Sequence, residues 1–373
     1  MGMNLFVLAT FLLSVLIGWM VIPQIVLISK KKRLFDALSA RKSHTGHIPR
    51  LGGVSFFPTF LLSLTFFLGL RYSFGYVFEP DVQIDSFTDL LFLIPGIVLL
   101  FFIGLADDLA GMSYRIKFLA QIISACLIIF TENYITNLGG LFGIYEMNDY
   151  LGIALTILFV VFITNAFNLI DGIDGLCSGL AMLSLIVFVW WFTWTGVYIY
   201  AMMAAAMLGV IVPFFYFNVG NKNLKIFMGD TGSLILGYVI AILGLKFYNM
   251  NVGNDAYGFE TAPAILLGLL FIPAFDTCWV FFERLSLKLS PFHPDRRHIH
   301  HKVLKLGFKH IYCTLIILIL QTGFILMNVL LKNININILV CMNLILGVIM
   351  IKTIDYMGRR RTIPSGKTIK VKE

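Results

Sequence analysis

The sequence predicts an all-α, polytopic integral membrane protein: a bundle of about eleven transmembrane helices, N-terminus outside and C-terminus cytoplasmic. Three observations carry that prediction. First, 59% of the 373 residues are hydrophobic and only 13% are charged, more apolar surface than a water-soluble fold of this length could hide. Second, the apolar residues fall into eleven runs, most of them near the roughly 20 residues that a helix needs to cross a bilayer. Third, the charges change sign from loop to loop. The net charge of +8 is therefore concentrated in particular loops and reads as topology, with no nucleic-acid partner implied.

The first run, 5–28, lacks a basic leader and is followed by Lys30, Lys31, Lys32 and Arg33. It reads as a retained helix and not as a cleaved signal. The loop 29–50 carries seven Lys or Arg residues against Asp36 alone, which places it in the cytoplasm by the positive-inside rule. Further spans are expected at 53–70, 90–105, 118–130, 151–164, 176–194, 197–217, 229–248, 261–282, 311–331 and 334–351. Loops bearing Glu79, Asp81, Asp85 and Asp89, or Glu132, Glu146 and Asp149, then fall outside. The loop with Lys222 and Lys225, the loop 283–309 and the basic tail fall inside. The five cysteines form no CxxC pair, so neither a disulfide framework nor a thiolate metal site is expected.

With this topology every distinctive polar motif lies on the cytoplasmic side. Asp107-Asp108 ends an apolar span, where a carboxylate can act as a base toward a lipid phosphate or hold a metal. Lys117 follows, either placed to neutralise a phosphate or simply snorkelling to the interface. The stretch Asn165-Ala-Phe-Asn168-Leu-Ile-Asp171-Gly-Ile-Asp174 spaces two amides and two carboxylates at threes, so a helix would present them on one face. Hard oxygens of this kind suit Mg²⁺ or Mn²⁺, although one of the acids could cap the next helix. Gly229-Asp230-Thr231-Gly232-Ser233 opens a span with free backbone N–H groups suited to an anion and an acid suited to a cation. It lacks the lysine and spacing of a P-loop. Arg296, Arg297, His298, His300 and His301 can hold a diphosphate by charge-assisted hydrogen bonds, or, through His298 and His301, contribute to a zinc site. His44 and His47 are solvated or lie at the rim of the site. A cationic rim, hard oxygen ligands and a membrane together suit a soluble diphosphate-bearing substrate and a lipid phosphate.

These motifs resemble the polyprenyl-phosphate N-acetylhexosamine-1-phosphate transferases. The likeness runs through Arg41-Lys42-Ser43-His44, Pro49-Arg50-Leu-Gly-Gly53, Gly104-Leu-Ala-Asp107-Asp108, Asn165–Leu176, Phe227-Met-Gly-Asp230 and Pro294-Asp-Arg-Arg-His-Ile-His-His301. The last string is similar to the branch that uses UDP-N-acetylglucosamine-type donors. The resemblance implies transfer of a sugar-1-phosphate from a UDP-N-acetylhexosamine to undecaprenyl phosphate in the bacterial inner membrane, with release of UMP. It implies Mg²⁺ on Asp230 assisted by Asn168, and Asp107 as the base, with Asp108 beside it. Lys117 would contact phosphate, with Asn165, Asp171 and Asp174 toward the nucleotide and the Arg/His string on the diphosphate or sugar. A homodimer is in keeping with it. Residues 1–351 would then form the transmembrane catalytic domain and 352–373 a basic cytoplasmic tail. The alternative from another class is a transporter or flippase for an anionic lipid or nucleotide sugar. Such proteins place charge near the membrane midplane and build on repeats, and neither feature is evident here.

Overall fold

The computed structural model describes residues 2–34, 48–75, 80–220, 223–252, 259, 261–290 and 296–362. His44, His47 and the Arg41-Lys42 pair lie outside the described residues, as do Lys222, His293 to Asp295 and the end of the tail.

Most of the described residues are helical. In order it forms α1 (Gly2–Lys32), a 3₁₀ turn (Gly52–Ser55) leading into α2 (Phe56–Ser73), α3 (Pro80–Ala110) and α4 (Tyr114–Cys126). A small antiparallel hairpin follows, β1 (Asn137–Leu141) and β2 (Ile144–Glu146). Then come α5 (Asp149–Ile170), α6 (Leu176–Trp194), α7 (Tyr198–Val219) and α8 (Gly229–Asn251). The chain closes with α9 (Ala262–Leu269), α10 (Phe271–Ser286), α11 (Ile299–Leu304), α12 (His310–Leu330) and α13 (Ile336–Thr362). Among the described residues ten helices are long and apolar enough to cross a membrane, and α9 with α10 makes an eleventh if the bent pair is one span. The chain is a multi-pass integral membrane protein.

The ninth expected span is where the structure departs from a straight helix. Residues 261–282 form α9 and α10, which meet at an angle of 78°. Pro273 has no N–H to give to the carbonyl of Leu269, so the helical ladder fails there. A freed carbonyl in an apolar interior needs another donor. Leu269 O receives Ser184 Oγ at 3.0 Å and Gln321 Nε2 at 2.8 Å. Gln321 Nε2 also reaches Gly268 O at 2.7 Å, while its Oε1 accepts from Ile272 N at 2.9 Å. One fully buried glutamine of α12 thus closes three backbone groups at the break. Other boundaries also move: α3 runs Pro80–Ala110 against the expected 90–105, so Asp89 lies in the helix and not in a loop. α5 continues past 164 through Asn165 and Asn168 to Ile170, and α13 runs beyond 351 to Thr362, so the start of the tail is helix.

α8 is the centre of the bundle. It is almost wholly buried, with α7 next, whereas α1 and α13 are mostly open to the surroundings. Lipid tails supply no hydrophobic drive between helices, so close approach through small residues holds such a core together. At the N-terminal end of α8, Gly53 lies against Gly232, and a Cβ on Gly104 of α3 would come within 2.5 Å of Thr231 Cα. The chain before α2 is stitched to the chain before α8 by backbone bonds: Phe227 N to Pro49 O at 2.8 Å, Gly52 N to Phe227 O at 3.0 Å and Gly53 N to Met228 O at 2.8 Å. The Pro49–Gly53 and Phe227–Ser233 motifs therefore form one local unit.

Candidate active site

The four polar motifs come together at this end of the bundle. α3 brings Asp107 and Asp108, α4 brings Lys117, the α5–α6 turn brings Asp171 and Asp174, and α8 begins at Gly229-Asp230. Lys117 Nζ lies 2.7 Å from Asp230 Oδ2 and 3.2 Å from Asp107 Oδ2. The two carboxyl groups are themselves within hydrogen-bond reach of each other. Asp107 is steadied by Met112 N, which donates to its Oδ1 at 2.7 Å. A single ammonium thus sits between two partly exposed carboxylates, and the cluster carries an excess of negative charge.

Asp108 does different work from its neighbour. Its oxygens accept from Asp230 N at 2.8 Å, Thr231 N at 2.9 Å and Thr231 Oγ1 at 2.6 Å. It therefore caps α8 from a neighbouring helix, satisfying N–H groups that a helix start leaves free. Gly229 adopts φ +74°, and a Cβ there would stand 2.6 Å from Asp108 Oδ2, so glycine lets the carboxylate close on the helix end. Asp108 thereby fixes the start of α8 at Asp230.

The two amides also part company. Asn168 donates to Ser233 Oγ at 2.8 Å and hydrogen-bonds Asp230, so it faces the cluster. Asn165 faces α4: its Nδ2 donates to Val161 O at 2.8 Å and to Gln121 Oε1, and Gln121 Nε2 returns a bond at 3.4 Å. Asn165 and Gln121 form a reciprocal amide pair that ties α4 to α5. Helical spacing of three put both amides on one side of the sequence, but the partner each one meets belongs to a different helix.

Asp171 ends α5, and neither it nor Asp174 caps α6, whose N-cap residue is Gly175. Enclosure pushes the Asp171 carboxyl up to about 7, the negative charge of Asp230 adds to this, and the Arg50 guanidinium opposes it. Asp174 is paired with Lys225 Nζ at 2.6 Å and lies 3.6 Å from His310 Nδ1, while its carbonyl takes Thr314 Oγ1 at 2.7 Å. Lys225 stands 5.7 Å above the Phe227 ring.

The Arg/His string reaches this turn through α11. His300 is buried, and its Nε2 abuts Gly172 so closely that no Cβ would fit there. Burial holds the His300 imidazole well below the ordinary histidine range, with His301, His298 and His310 adding to the effect. His301 is lowered in the same way, first by burial and then by His298. The His300 and His301 rings are 4.2 Å apart. Arg297 is paired with Glu283 at 3.0 Å, and Arg296 is exposed at the rim. His298 is buried against Asp276 of α10, Nδ1 to Oδ2 at 2.7 Å. Asp276 is a residue that motif reading passed over. Its signal was present, since it is the one charged residue in the run 261–282, and an ionisable group inside an apolar span points to a role.

The donor set suits a divalent cation of the Mg²⁺ type. Asp230 and Asp107 offer hard oxygens, Asn168 could add an amide oxygen, and the same place already attracts an ammonium. No group of three His, Cys, Asp or Glu side chains forms a complete cage among the described residues. A Mg²⁺ ion held by a few protein oxygens takes its remaining ligands from water and substrate phosphate.

Residues 90–248 match the family described as glycosyl transferase family 4. The chain is 32% identical over 287 residues to the undecaprenyl-phosphate alpha-N-acetylglucosaminyl 1-phosphate transferase of Escherichia coli (strain K12), covering 75% of this chain and 72% of that protein. The chain belongs to this family of polyprenyl-phosphate N-acetylhexosamine-1-phosphate transferases. The family extends to the Yersinia pestis protein of the same name, 31% identical over 286 residues with 74% and 70% covered. It also includes the probable undecaprenyl-phosphate N-acetylglucosaminyl 1-phosphate transferase of Bacillus subtilis (strain 168), 30% identical over 329 residues, or 88% of this chain and 85% of that one. The matched segment 90–248 runs from α3 to α8 and so contains Asp107, Lys117, Asn168, Asp171, Asp174 and Asp230.

Proposed function

We propose that the protein transfers N-acetylhexosamine-1-phosphate, with N-acetylglucosamine-1-phosphate the first choice, from its UDP-sugar to undecaprenyl phosphate. The reaction begins lipid-linked glycan synthesis at the cytoplasmic face of the bacterial inner membrane. The observation that carries this reading is the Asp107–Lys117–Asp230 cluster at the end of the apolar bundle, beside the turn that His300 touches. A lipid phosphate entering from the bilayer and a water-soluble diphosphate entering from the aqueous side would meet there.

In the proposed reaction an oxygen of the lipid phosphate attacks the β-phosphorus of the donor. The bond from that phosphorus to the bridging oxygen breaks, and UMP leaves with the bridging oxygen. Phosphoryl transfer asks a protein chiefly for position and charge neutralisation. Lys117 neutralises phosphate by exchanging its carboxylate partners for it. Asp107 takes the proton of a protonated lipid phosphate. Asp230, set by Asp108 and assisted by Asn168, would hold Mg²⁺, or Mn²⁺ in its place. Bound there, the ion supplies positive charge to the donor diphosphate and the departing UMP. Asp171 and Asp174 serve the nucleotide, and Arg296, Arg297, His298, His300 and His301 serve the diphosphate or sugar.

The test uses purified protein, undecaprenyl phosphate, Mg²⁺ and a panel of tritium-labelled UDP-N-acetylhexosamines. Label appearing in the lipid phase with UDP-N-acetylglucosamine, and lost on adding EDTA, is the expected result. No lipid-linked label with any donor of the panel would refute the reading.

A further inference from the structure

α10 is half of a broken span, and it carries a carboxylate that is only 2% exposed, Asp276. A buried carboxylate is costly unless its oxygens are matched by donors. Here both are matched by one short segment. Oδ2 lies 2.7 Å from His298 Nδ1, and Oδ1 accepts from Ile299 N at 2.7 Å. Ile299 N is the first N–H of α11, whose N-cap residue, His298, gives no side-chain cap. Asp276 supplies that acceptor from the neighbouring helix.

The same carboxylate decides which nitrogen of His298 holds a proton. A backbone N–H can only donate, so Asp276 meets Ile299 as an acceptor. Accepting on its other oxygen as well makes His298 Nδ1 the protonated nitrogen and leaves Nε2 to meet a substrate. The ring is also fixed sideways. It stacks on His300 with centroids 5.8 Å apart and planes 4° from parallel, and His300 in turn rests on Gly172 between Asp171 and Asp174. A chain of contacts therefore runs from the broken span to the centre of the site.

We propose that Asp276 is a positioning residue for the transfer: it fixes the tautomer and angle of His298 and the start of α11, so that Nε2 of His298 is held as an acceptor for a hydroxyl or amide N–H of the donor sugar. The substrate named here rests on the function proposed above, whereas the tautomer does not. Asp276→Asn keeps the shape and the bond from Ile299 but offers His298 Nδ1 a donor, which forces the ring to its other tautomer. The expected loss in kcat/KM for UDP-N-acetylglucosamine is about 10- to 100-fold, the size seen when the partner that orients a metal-bound histidine is removed. KM for undecaprenyl phosphate and the melting temperature stay at the parent's values. Because Asp276 acts through His298, adding Asp276→Asn to His298→Ala brings no further loss.

Solid-state nitrogen-15 NMR of histidine-labelled protein gives a readout independent of turnover. With His298 assigned by its absence in His298→Gln, the parent shows the proton on Nδ1, and Asp276→Asn shows it on Nε2. Retention of more than half of kcat/KM in Asp276→Asn, losses that multiply in the double variant, or a parent His298 protonated on Nε2 alone would overturn the proposal. The parent spectrum tests the tautomer even where Asp276→Asn fails to fold. It tests it as well where the parent turns over no UDP-sugar, an outcome that refutes the proposed function and leaves the tautomer assignment standing.

Discussion

Two lysine–aspartate clusters join α3 to α8, one toward each end of α8, and they are built to opposite plans. Toward the C-terminal end of α8, Asp89 Oδ2 accepts from Tyr200 at 2.6 Å and from Lys246 at 3.0 Å, and Lys246 lies 5.2 Å over the Tyr200 ring. The Asp89 and Lys246 side chains are 4% and 14% exposed there, and one acid faces one base. At the N-terminal end a single Lys117 is shared by Asp230 and Asp107, whose side chains are 28% and 16% exposed. The first cluster is sealed and balanced in charge. The second is open and over-acidic, with the histidines of α11 beside it. Charge inside a membrane protein does not by itself mark a site. An acidic excess that a solute can reach does, and the sealed pair is a clamp between helices.

The largest effect is expected at Asp230. Asp230→Asn is expected to cut transfer by at least about 100-fold, in the range for losing one preorganised charge-stabilising group, with the melting temperature of the parent. Near-normal turnover would remove Asp230 from the chemistry. At the sealed end the reverse is expected. Asp89→Leu strands Lys246 in the interior and should cost about 3–5 kcal/mol of stability, as for a broken buried pair, while turnover per folded molecule is unchanged. Adding Lys246→Met should restore most of the loss, because an apolar pair of similar size replaces an ion pair without leaving a charge behind. Thermal denaturation in detergent, paired with initial rates, separates the two ends.

Smaller effects sharpen the contrast. Gly172→Ala pushes the His300 ring from its seat and should lower kcat/KM for the donor about tenfold or more, since displacements near 1 Å are enough to do so. Thermal denaturation should register little change. The smallest effect is a pH dependence. Asp171, raised to about 7 in the fold, keeps a proton that the unfolded chain releases near the ordinary carboxylate value of about 4. Stability should therefore fall as pH rises from about 4 to about 7 and level off above that. Asp171→Asn should lose that slope. Equal slopes in parent and variant, measured by thermal denaturation in EDTA, would contradict the assignment.

Much of this architecture was legible because its causes are local. Eleven apolar runs became ten long helices and one bent pair, and the motifs that topology put on one side converge at one end. What was not legible depends on partners distant in sequence. The run 261–282 is continuous in hydropathy, and its break is held open by Ser184 and Gln321 around Pro273. Asn165 and Asn168 are three residues apart, yet one meets Gln121 of α4 and the other Ser233 of α8. Adjacent Asp107 and Asp108 are indistinguishable by composition. The geometry makes the first a partner of Lys117 and the second the cap of α8. Hydropathy also stops at the membrane edge while the hydrogen-bond ladder does not, which is why α5 and α13 outrun their expected ends.

This open, acidic end is proposed to move a sugar together with its phosphate. The most direct measurement follows UDP-N-acetylglucosamine labelled in its β-phosphate, with undecaprenyl phosphate and Mg²⁺ present. The label is expected to enter the lipid in step with release of unlabelled UMP. Label that stays with the nucleotide as UDP, while the sugar alone reaches the lipid, would contradict it.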